Sequence, residues 1–125
     1  MATYDSVVKA ARMTATKGEV LDGTLELTDA GGTNVLVIYT FSASAGSVTT
    51  DTWTLGFVDT AGVGTTAAGA GTDAALARLK DSLGNIRLSG LTVGTSGTDV
   101  IVDNVNIAED QTVNITGTPT ITHAA

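Results

Sequence analysis

The chain lacks several residue types on which particular kinds of site depend. It has no cysteine, which excludes disulfide bonds and thiolate metal sites. Its single histidine, His123, lies almost at the C-terminus, where chains are usually mobile, whereas a catalytic base must be held within hydrogen-bonding distance of its partner. We therefore expect no enzyme activity and no cofactor, and we interpret His123 as a protonatable group at a subunit contact.

Aromatic side chains are scarce too. Only five are present: Tyr4, Tyr39, Phe41, Trp53 and Phe57. The core must then be built mainly from Val, Ile, Leu and Ala. We expect contacts between subunits to supply part of the burial that such a core lacks.

Basic residues are few, with 6 Lys and Arg against 13 Asp and Glu and a net charge of −7. An acidic chain repels phosphate backbones, so we expect no nucleic-acid binding. The basic residues fall into two groups, and the first of them, Lys9, Arg12 and Lys17, is a candidate for contact with an acidic partner surface.

Long apolar segments are missing as well. The N-terminal stretch has no apolar signal-peptide region, and "VLVIYTF" is far too short to span a bilayer, so we expect neither secretion nor a membrane partner. At 125 residues the chain has the size of one domain. We divide it into an N-terminal arm, residues 1–15, and a single β domain, residues 16–125.

Threonine and glycine dominate what is present, and their pattern predicts the fold class. Thr-rich segments of strand length alternate with glycine clusters such as "SASAG" and "AGVGTTAAGAGT", expected to be turns or flexible connections. Residues 23–29, 34–42 and 48–58 form a predicted meander of three strands. The whole predicts an all-β protein, an antiparallel sandwich or barrel of jelly-roll or Ig-like type, with Gly-rich loops and at most one short helix.

Three regions carry alternatives or weaker patterns. Asp5 or Ser6 can cap a short helix, after which "RMTAT" has the composition of a strand. Residues 73–83 fit either a helix or the first strand of a pair joined by the polar turn "DSLGN". Residues 99–107 and 112–122 predict a final hairpin with a turn at 108–111, and Pro119 predicts an edge strand or a break.

Four carboxylates in the last quarter are the strongest chemical candidates: Asp99, Asp103, Glu109 and Asp110. No Asp-x-Asp-x-Asp-Gly calcium loop is present, so turn and edge positions explain most of them and no metal site is assigned. Asp103 is the exception because a regular strand puts it on the apolar side with Ile101, Val105 and Ile107. It is a candidate for a subunit contact, a bulge or a bound cation.

The segment "LKDSLGNIRLSGLTVGTSGTDVIVDNVNIAEDQTVNITGTPTIT", residues 79–122, resembles a group of small virion structural proteins of tailed bacteriophages. The stretch "ARMTA…LDGTLEL" is compatible with the same group. The resemblance implies a β-rich subunit present in many copies, and it favours a strand pair over residues 73–93. It carries over no catalytic residue.

The resulting functional expectation is a capsid decoration or cement protein, located on the capsid exterior and made in the host cytoplasm. Its expected partners are the major capsid protein or other virion subunits and further copies of itself, with a trimer favoured. The alternatives are a tail, collar or fibre-associated subunit, or a glycan-binding β-module. The last would need Trp53 or Tyr39 to be exposed, whereas both lie in predicted strands whose pattern suggests burial.

Overall fold

The computed structural model describes residues 3–123, which are mostly strand with one α-helix. The helix α1 spans Ser6–Glu19, and a single 3-10 turn spans Thr66–Ala68. The expected all-β class with at most one short helix is confirmed. The strands are β1 (Thr24–Thr28), β2 (Val35–Thr49), β3 (Thr52–Phe57), β4 (Ala61–Val63), β5 (Thr72–Asp73), β6 (Leu76–Lys80), β7 (Ile86–Gly94), β8 (Val100–Ile101), β9 (Asn106–Ile107), β10 (Thr112–Asn114) and β11 (Thr120–Thr122).

Seven of these strands form one curled sheet in the order β11-β3-β2-β1-β6-β7-β8. All neighbours are antiparallel except β7 and β8, which run parallel. Two small pairs, β10 with β4 and β5 with β9, complete the fold. The predicted meander is confirmed as β1, β2 and β3, which pair in chain order.

The glycine cluster at residues 42–46 is a bulge inside β2, and the prediction that it forms a turn or connection is wrong. Phe41 pairs with Phe57, but the next pair is Gly46 with Leu55, so several residues of β2 oppose a single residue of β3. Such a bulge bends a strand and increases its twist. One continuous strand can therefore pair with β1 through its first half and with β3 through its second.

The bulge is fixed by backbone conformations that few residues accept. Gly46 has a φ of +101°, and a Cβ added there would overlap the carbonyl oxygen of Thr54. Ala45 has a φ of 55° and is fully buried. Its carbonyl accepts a 2.8 Å hydrogen bond from the indole Nε1–H of Trp53, which is also fully buried. Two residues of the bulge are thus held against β3, Ala45 by the hydrogen bond from Trp53 and Gly46 by its pairing with Leu55.

Four of the five aromatic residues form one continuous cluster in the core. Phe41 and Phe57 stack with ring centroids 5.1 Å apart, and Trp53 and Tyr39 each lie 6.1 Å from one of these rings. The chain exposes 6301 Å², close to the roughly 6200 Å² expected of a monomeric protein of its mass. The chain thus closes its own core, and the expected self-association needs a reason other than missing burial.

The N-terminal region is one helix, so the prediction of a strand at "RMTAT" is wrong. Asp5 caps the helix by accepting a 3.0 Å hydrogen bond from the amide of Val8. Met13, the second residue of that stretch, is buried in the core. The proposed boundary between arm and domain at residue 15 falls inside α1, and this helix packs on β2 and β3.

The two alternatives for residues 73–83 are now distinguished. Residues 76–80 form strand β6, which pairs with β7, and the loop at residues 81–85 joins the two strands. The predicted hairpin is therefore confirmed and the predicted helix is wrong. The glycine run before them is not a flexible connection. It contains β4, whose Gly62 lies so close to Val37 and Tyr39 that an added Cβ would overlap their side chains.

The predicted strand at residues 99–107 is also wrong. Only β8 and β9 are regular, with a bend between them. Val100 and Val102 are buried, whereas Ile101 and Val105 of the predicted apolar face are only half-buried, and Ile107 alone of that face is fully buried. Parallel pairing of β8 with β7 sets this orientation. The predicted final hairpin reduces to one isolated bridge between Val102 and Ile115. Pro119 does precede an edge strand, β11, as expected.

Replacement of Gly46 by alanine tests the role of the bulge. Because the new Cβ meets the Thr54 carbonyl at a positive φ, we expect a loss of at least about 2 kcal/mol in the free energy of unfolding. The control is Gly18→Ala, a position in α1 with no neighbouring atom within 4 Å of the added Cβ. That variant should gain about 0.5–1 kcal/mol. Urea unfolding followed by Trp53 fluorescence measures both, and equal effects would contradict the assignment.

Candidate interaction surfaces

The first turn of α1 and the last described residue meet on one side of the molecule. The Tyr4 ring contacts the His123 ring edge-on, with centroids 5.6 Å apart, and the Arg12 guanidinium lies 4.3 Å above the Tyr4 ring. His123 is positioned because its amide donates a 2.8 Å hydrogen bond to the carbonyl of Asp51, next to β3. Two of the sequence-predicted contact residues, Arg12 and His123, are therefore brought together through Tyr4.

Exposed apolar side chains lie at the same end of α1. Val7 is 75% exposed, Val8 is 42% exposed and Tyr4 is 41% exposed. All three lie at or just before the first turn of α1. Val8 precedes Arg12 by one helical turn and lies on the same side of α1, and Val7 lies next to Val8 in the exposed first turn. We call this exposed end of α1, formed by Tyr4, Val7, Val8 and Arg12 together with His123, the terminal face.

The other two predicted basic contacts lie elsewhere on the helix. Lys9 and Lys17 are four residues to either side of the buried Met13, so they share the face of α1 that is turned to the sheet, and both are half-buried. The Lys17 ammonium donates a 3.3 Å hydrogen bond to the carbonyl of Gly46. Of the three N-terminal cations, only Arg12 lies on the terminal face.

Asp103 serves to join two segments of backbone. It sits in the bend between β8 and β9, and its two carboxylate oxygens accept hydrogen bonds of 3.1 and 2.9 Å from the backbone and side-chain amides of Asn114. Its predicted position on an apolar strand face is wrong because no regular strand exists there. Asp99 accepts in a similar way from the amide and hydroxyl of Thr92.

Glu109 and Asp110 lie in the turn predicted at 108–111, where Asp110 adopts a φ of 65°. A left-handed conformation of this kind is one that Asp tolerates in turns. Within residues 3–123, no three His, Cys, Asp or Glu side chains are grouped so that they could hold a metal ion.

The loops at residues 29–34 and 81–85 are closed by the same pattern of hydrogen bonds to an aspartate carboxylate. Asp29 accepts hydrogen bonds from the amide of Thr33 and from the backbone and side-chain amides of Asn34. Asp81 accepts from the amide of Leu83 and from both amides of Asn85. These bonds, all made to the ionised carboxylate, lower the pKa of Asp29 and lower that of Asp81 to about 2.

The loop at residues 81–85 also carries an exposed leucine. Leu83 is 85% exposed at the tip of the β6–β7 hairpin. The Arg87 guanidinium secures the base of the loop through hydrogen bonds of 3.0 and 2.9 Å to one oxygen of Asp81. Leu83 is thus an apolar side chain on a loop whose backbone is held by hydrogen bonds.

A cleft of about 280 Å³ opens near the start of β8 and the segment that leads into β11. Threonine side chains, among them Thr98 and Thr118, line it together with Asp99, Ile101 and Pro119. Its surface combines hydroxyl groups, a few apolar side chains and one carboxylate.

No family model, curated protein or solved structure matches the chain. The helix α1 is not long and apolar enough to cross a membrane, and neither is any other helix within residues 3–123.

Sequence analysis did not single out the most buried charged side chain within residues 3–123. Glu26 in β1 forms ion pairs of 2.8 Å with Arg78 and 3.1 Å with Lys80 on the adjacent strand. The sequence did contain an indication of this burial, because Glu26 lies between Leu25 and Leu27 in a predicted strand. The structure shows that this strand is central in the sheet. The pairing partner was not predictable without knowing that β1 lies beside β6.

The Asp81 loop predicts a specific pH dependence. Because the pKa of Asp81 is lower in the folded chain, its carboxylate stabilises the fold above the ordinary value of 3.8, and this stabilisation is lost as the pH falls towards about 2. Asp81→Asn should lose less stability than the wild type between about pH 6 and about pH 2. Urea unfolding at several pH values measures the difference, and parallel curves would contradict the assignment. Asp22→Asn, at an exposed position, is the control and should follow the wild type.

Proposed function

We propose that the protein is a structural subunit of a bacteriophage particle, most specifically a decoration or cement protein that binds the exterior of an assembled capsid. The terminal face is the observation that carries the proposal. It presents exposed apolar side chains beside one cation, in a chain whose core is already closed by its own residues. Exposed apolar patches of this kind are typical of protein–protein contacts.

The arrangement of the terminal face suits binding to a repeated lattice. Tyr and Arg are the residue types enriched at the centres of protein interfaces. Here the Arg12 guanidinium is already stacked on Tyr4, so less side-chain freedom is lost on binding. A modest affinity per copy is sufficient when many copies bind one shell and contact one another, because each contact raises the effective concentration for the next.

The alternative of a tail, collar or fibre-associated subunit uses the same surface and differs only in location within the particle. The glycan-binding alternative is weaker. Trp53 and Tyr39, the rings considered for stacking on a sugar, are buried in the core. Tyr4 is exposed, but Arg12 already lies over its ring.

Two matched valines test the proposal. Val7 on the terminal face and Val58, just after β3, are 75% and 72% exposed, so their replacement by Asn removes similar apolar surface with little effect on folding. The assay measures co-sedimentation of purified protein with phage heads assembled without it. Val7→Asn should weaken binding roughly tenfold, about 1.4 kcal/mol, and Val58→Asn should bind as the wild type does.

Immunogold labelling of intact particles locates the protein. Labelling of the head supports the decoration role, and labelling of the tail supports the alternative. A wild-type protein that binds no heads and is absent from purified particles would overturn the proposal. Equal binding by the Val7 and Val58 variants would leave the virion role in place but exclude the terminal face as the contact.

A further inference from the structure

Arg12 differs from the two other arginines of the chain because it has no carboxylate of its own. The Arg78 guanidinium is paired with Glu26, and the Arg87 guanidinium is paired with Asp81. Arg12 is exposed, and within the described part of the chain its guanidinium donates no hydrogen bond and forms no ion pair. An arginine side chain has five N–H donors. All five of those of Arg12 are available to a partner.

The charge of α1 is opposite to that of the rest of the chain. Residues 6–19 contain the cations Lys9, Arg12 and Lys17 and one acid, Glu19, a net charge of +2. Because the chain totals −7, the other residues together carry −9. No acid lies three or four residues from Arg12, where it could pair with this side chain on the helix surface. A carboxylate that approaches α1 therefore meets a locally positive surface and an arginine that is not yet paired.

Tyr4 holds the Arg12 side chain in a position suited to binding a carboxylate. The guanidinium carbon lies 4.3 Å from the centroid of the Tyr4 ring. The attraction between a cation and a ring acts on the charge and uses no hydrogen-bond acceptor, so the N–H donors stay free. Their planar fork matches the two oxygens of a carboxylate. Part of the entropy that ordering this side chain costs is already lost before binding.

The neighbouring valines favour an ion pair that is shielded from water. Val8 is 42% exposed and lies one helical turn before Arg12, and Val7, next to it, is 75% exposed. A partner that covers these side chains also removes water from around Arg12. An ion pair is stronger there than on an open surface, whereas a covered and unpaired guanidinium is costly. The matching surface therefore has to supply a carboxylate together with apolar side chains.

Other anionic partners match the terminal face less well. A nucleic acid or an anionic membrane presents many negative charges and is bound by several cations together. Of the cations of α1, only Arg12 lies on the terminal face, and the rest of the chain is strongly acidic. A second copy that used the same face would place one Arg12 against another. A single carboxylate on a different protein is the partner that fits.

We infer that Arg12 binds an aspartate or glutamate of the capsid surface, at a place where this carboxylate lies among apolar side chains. The inference rests on the proposed capsid binding and names the chemistry of that contact. Val7 and Val8 supply apolar area, and Arg12 sets the orientation and the choice of partner.

Arg12→Met and Lys9→Met are a matched pair that tests this assignment. Each removes one positive charge from α1, but Lys9 is half-buried and lies outside the terminal face. In co-sedimentation with phage heads assembled without the protein, Arg12→Met should bind at least about thirtyfold more weakly than the wild type. Lys9→Met should bind nearly as the wild type does. Added salt should weaken binding of the wild type more than that of Arg12→Met.

Arg12→Lys identifies the partner group directly. A carbodiimide joins a lysine amine to a carboxylate in contact with it, forming an amide while the reagent takes up the water that is lost. Mass spectrometry of treated heads that carry Arg12→Lys should find residue 12 joined to an Asp or Glu of the capsid protein. A link from residue 12 to an acid of another copy of this chain would overturn the inference and assign the contact to self-association.

The outcomes separate this inference from the proposed function. If the wild type binds heads and Arg12→Met binds equally well, or if Lys9→Met is weakened as much as Arg12→Met, the inference is wrong and the capsid role stands. A wild type that binds no heads would overturn both. Circular dichroism and urea unfolding verify that each variant is folded. Partial recovery of binding in Arg12→Lys distinguishes loss of the charge from loss of structure.

Discussion

The hydrogen bond that the Trp53 indole N–H donates to the carbonyl of Ala45 is the interaction on which the rest of the architecture depends. It fixes the bulge that lets one strand, β2, pair with β1 and with β3 at two different registers. It also places the largest side chain of the core against Phe41. The adjacent carbonyl of Gly46 accepts a hydrogen bond from the Lys17 ammonium, and this bond links α1 to the same bulge. The terminal face at the start of α1 is therefore positioned, at some distance, by the backbone of residues 42–46.

The aspartate carboxylates of this chain mainly hold neighbouring backbone segments together. Asp29, Asp81, Asp99 and Asp103 each accept hydrogen bonds from backbone and side-chain donors close by. This use explains why so acidic a chain, with net charge −7, groups no set of acids suited to a metal within residues 3–123. It also holds the backbone of the loops at residues 29–34 and 81–85 through several hydrogen bonds each.

Much of the fold followed from local pattern, and the failures have identifiable causes. The β1–β3 meander and the β6–β7 hairpin were predictable because alternation and turn residues act over a few positions. "RMTAT" was misassigned because its composition suits a strand, whereas Asp5 capping and burial of Met13 favour the helix. Residues 99–107 were misassigned because β8 pairs in parallel with β7, and no local pattern encodes a distant partner.

The residues of the candidate interaction surfaces were predictable only in part. Arg12 and His123 were singled out, but their common neighbour Tyr4 was not, since the contact joins opposite ends of the chain. The exposure of Leu83 was not predicted, because a leucine in "DSLGN" looks the same in sequence whether its side chain is exposed or buried.

Hydrogen exchange of the Trp53 indole N–H, followed by NMR, is the measurement that tests this account most directly. If the bulge is the element on which β2, β3 and α1 depend, this proton should exchange only through global unfolding, with a free energy of opening equal to that of urea denaturation. An indole proton that exchanges much faster than the amides of β1 would show that the bulge opens while the sheet stays folded, and would contradict the central claim.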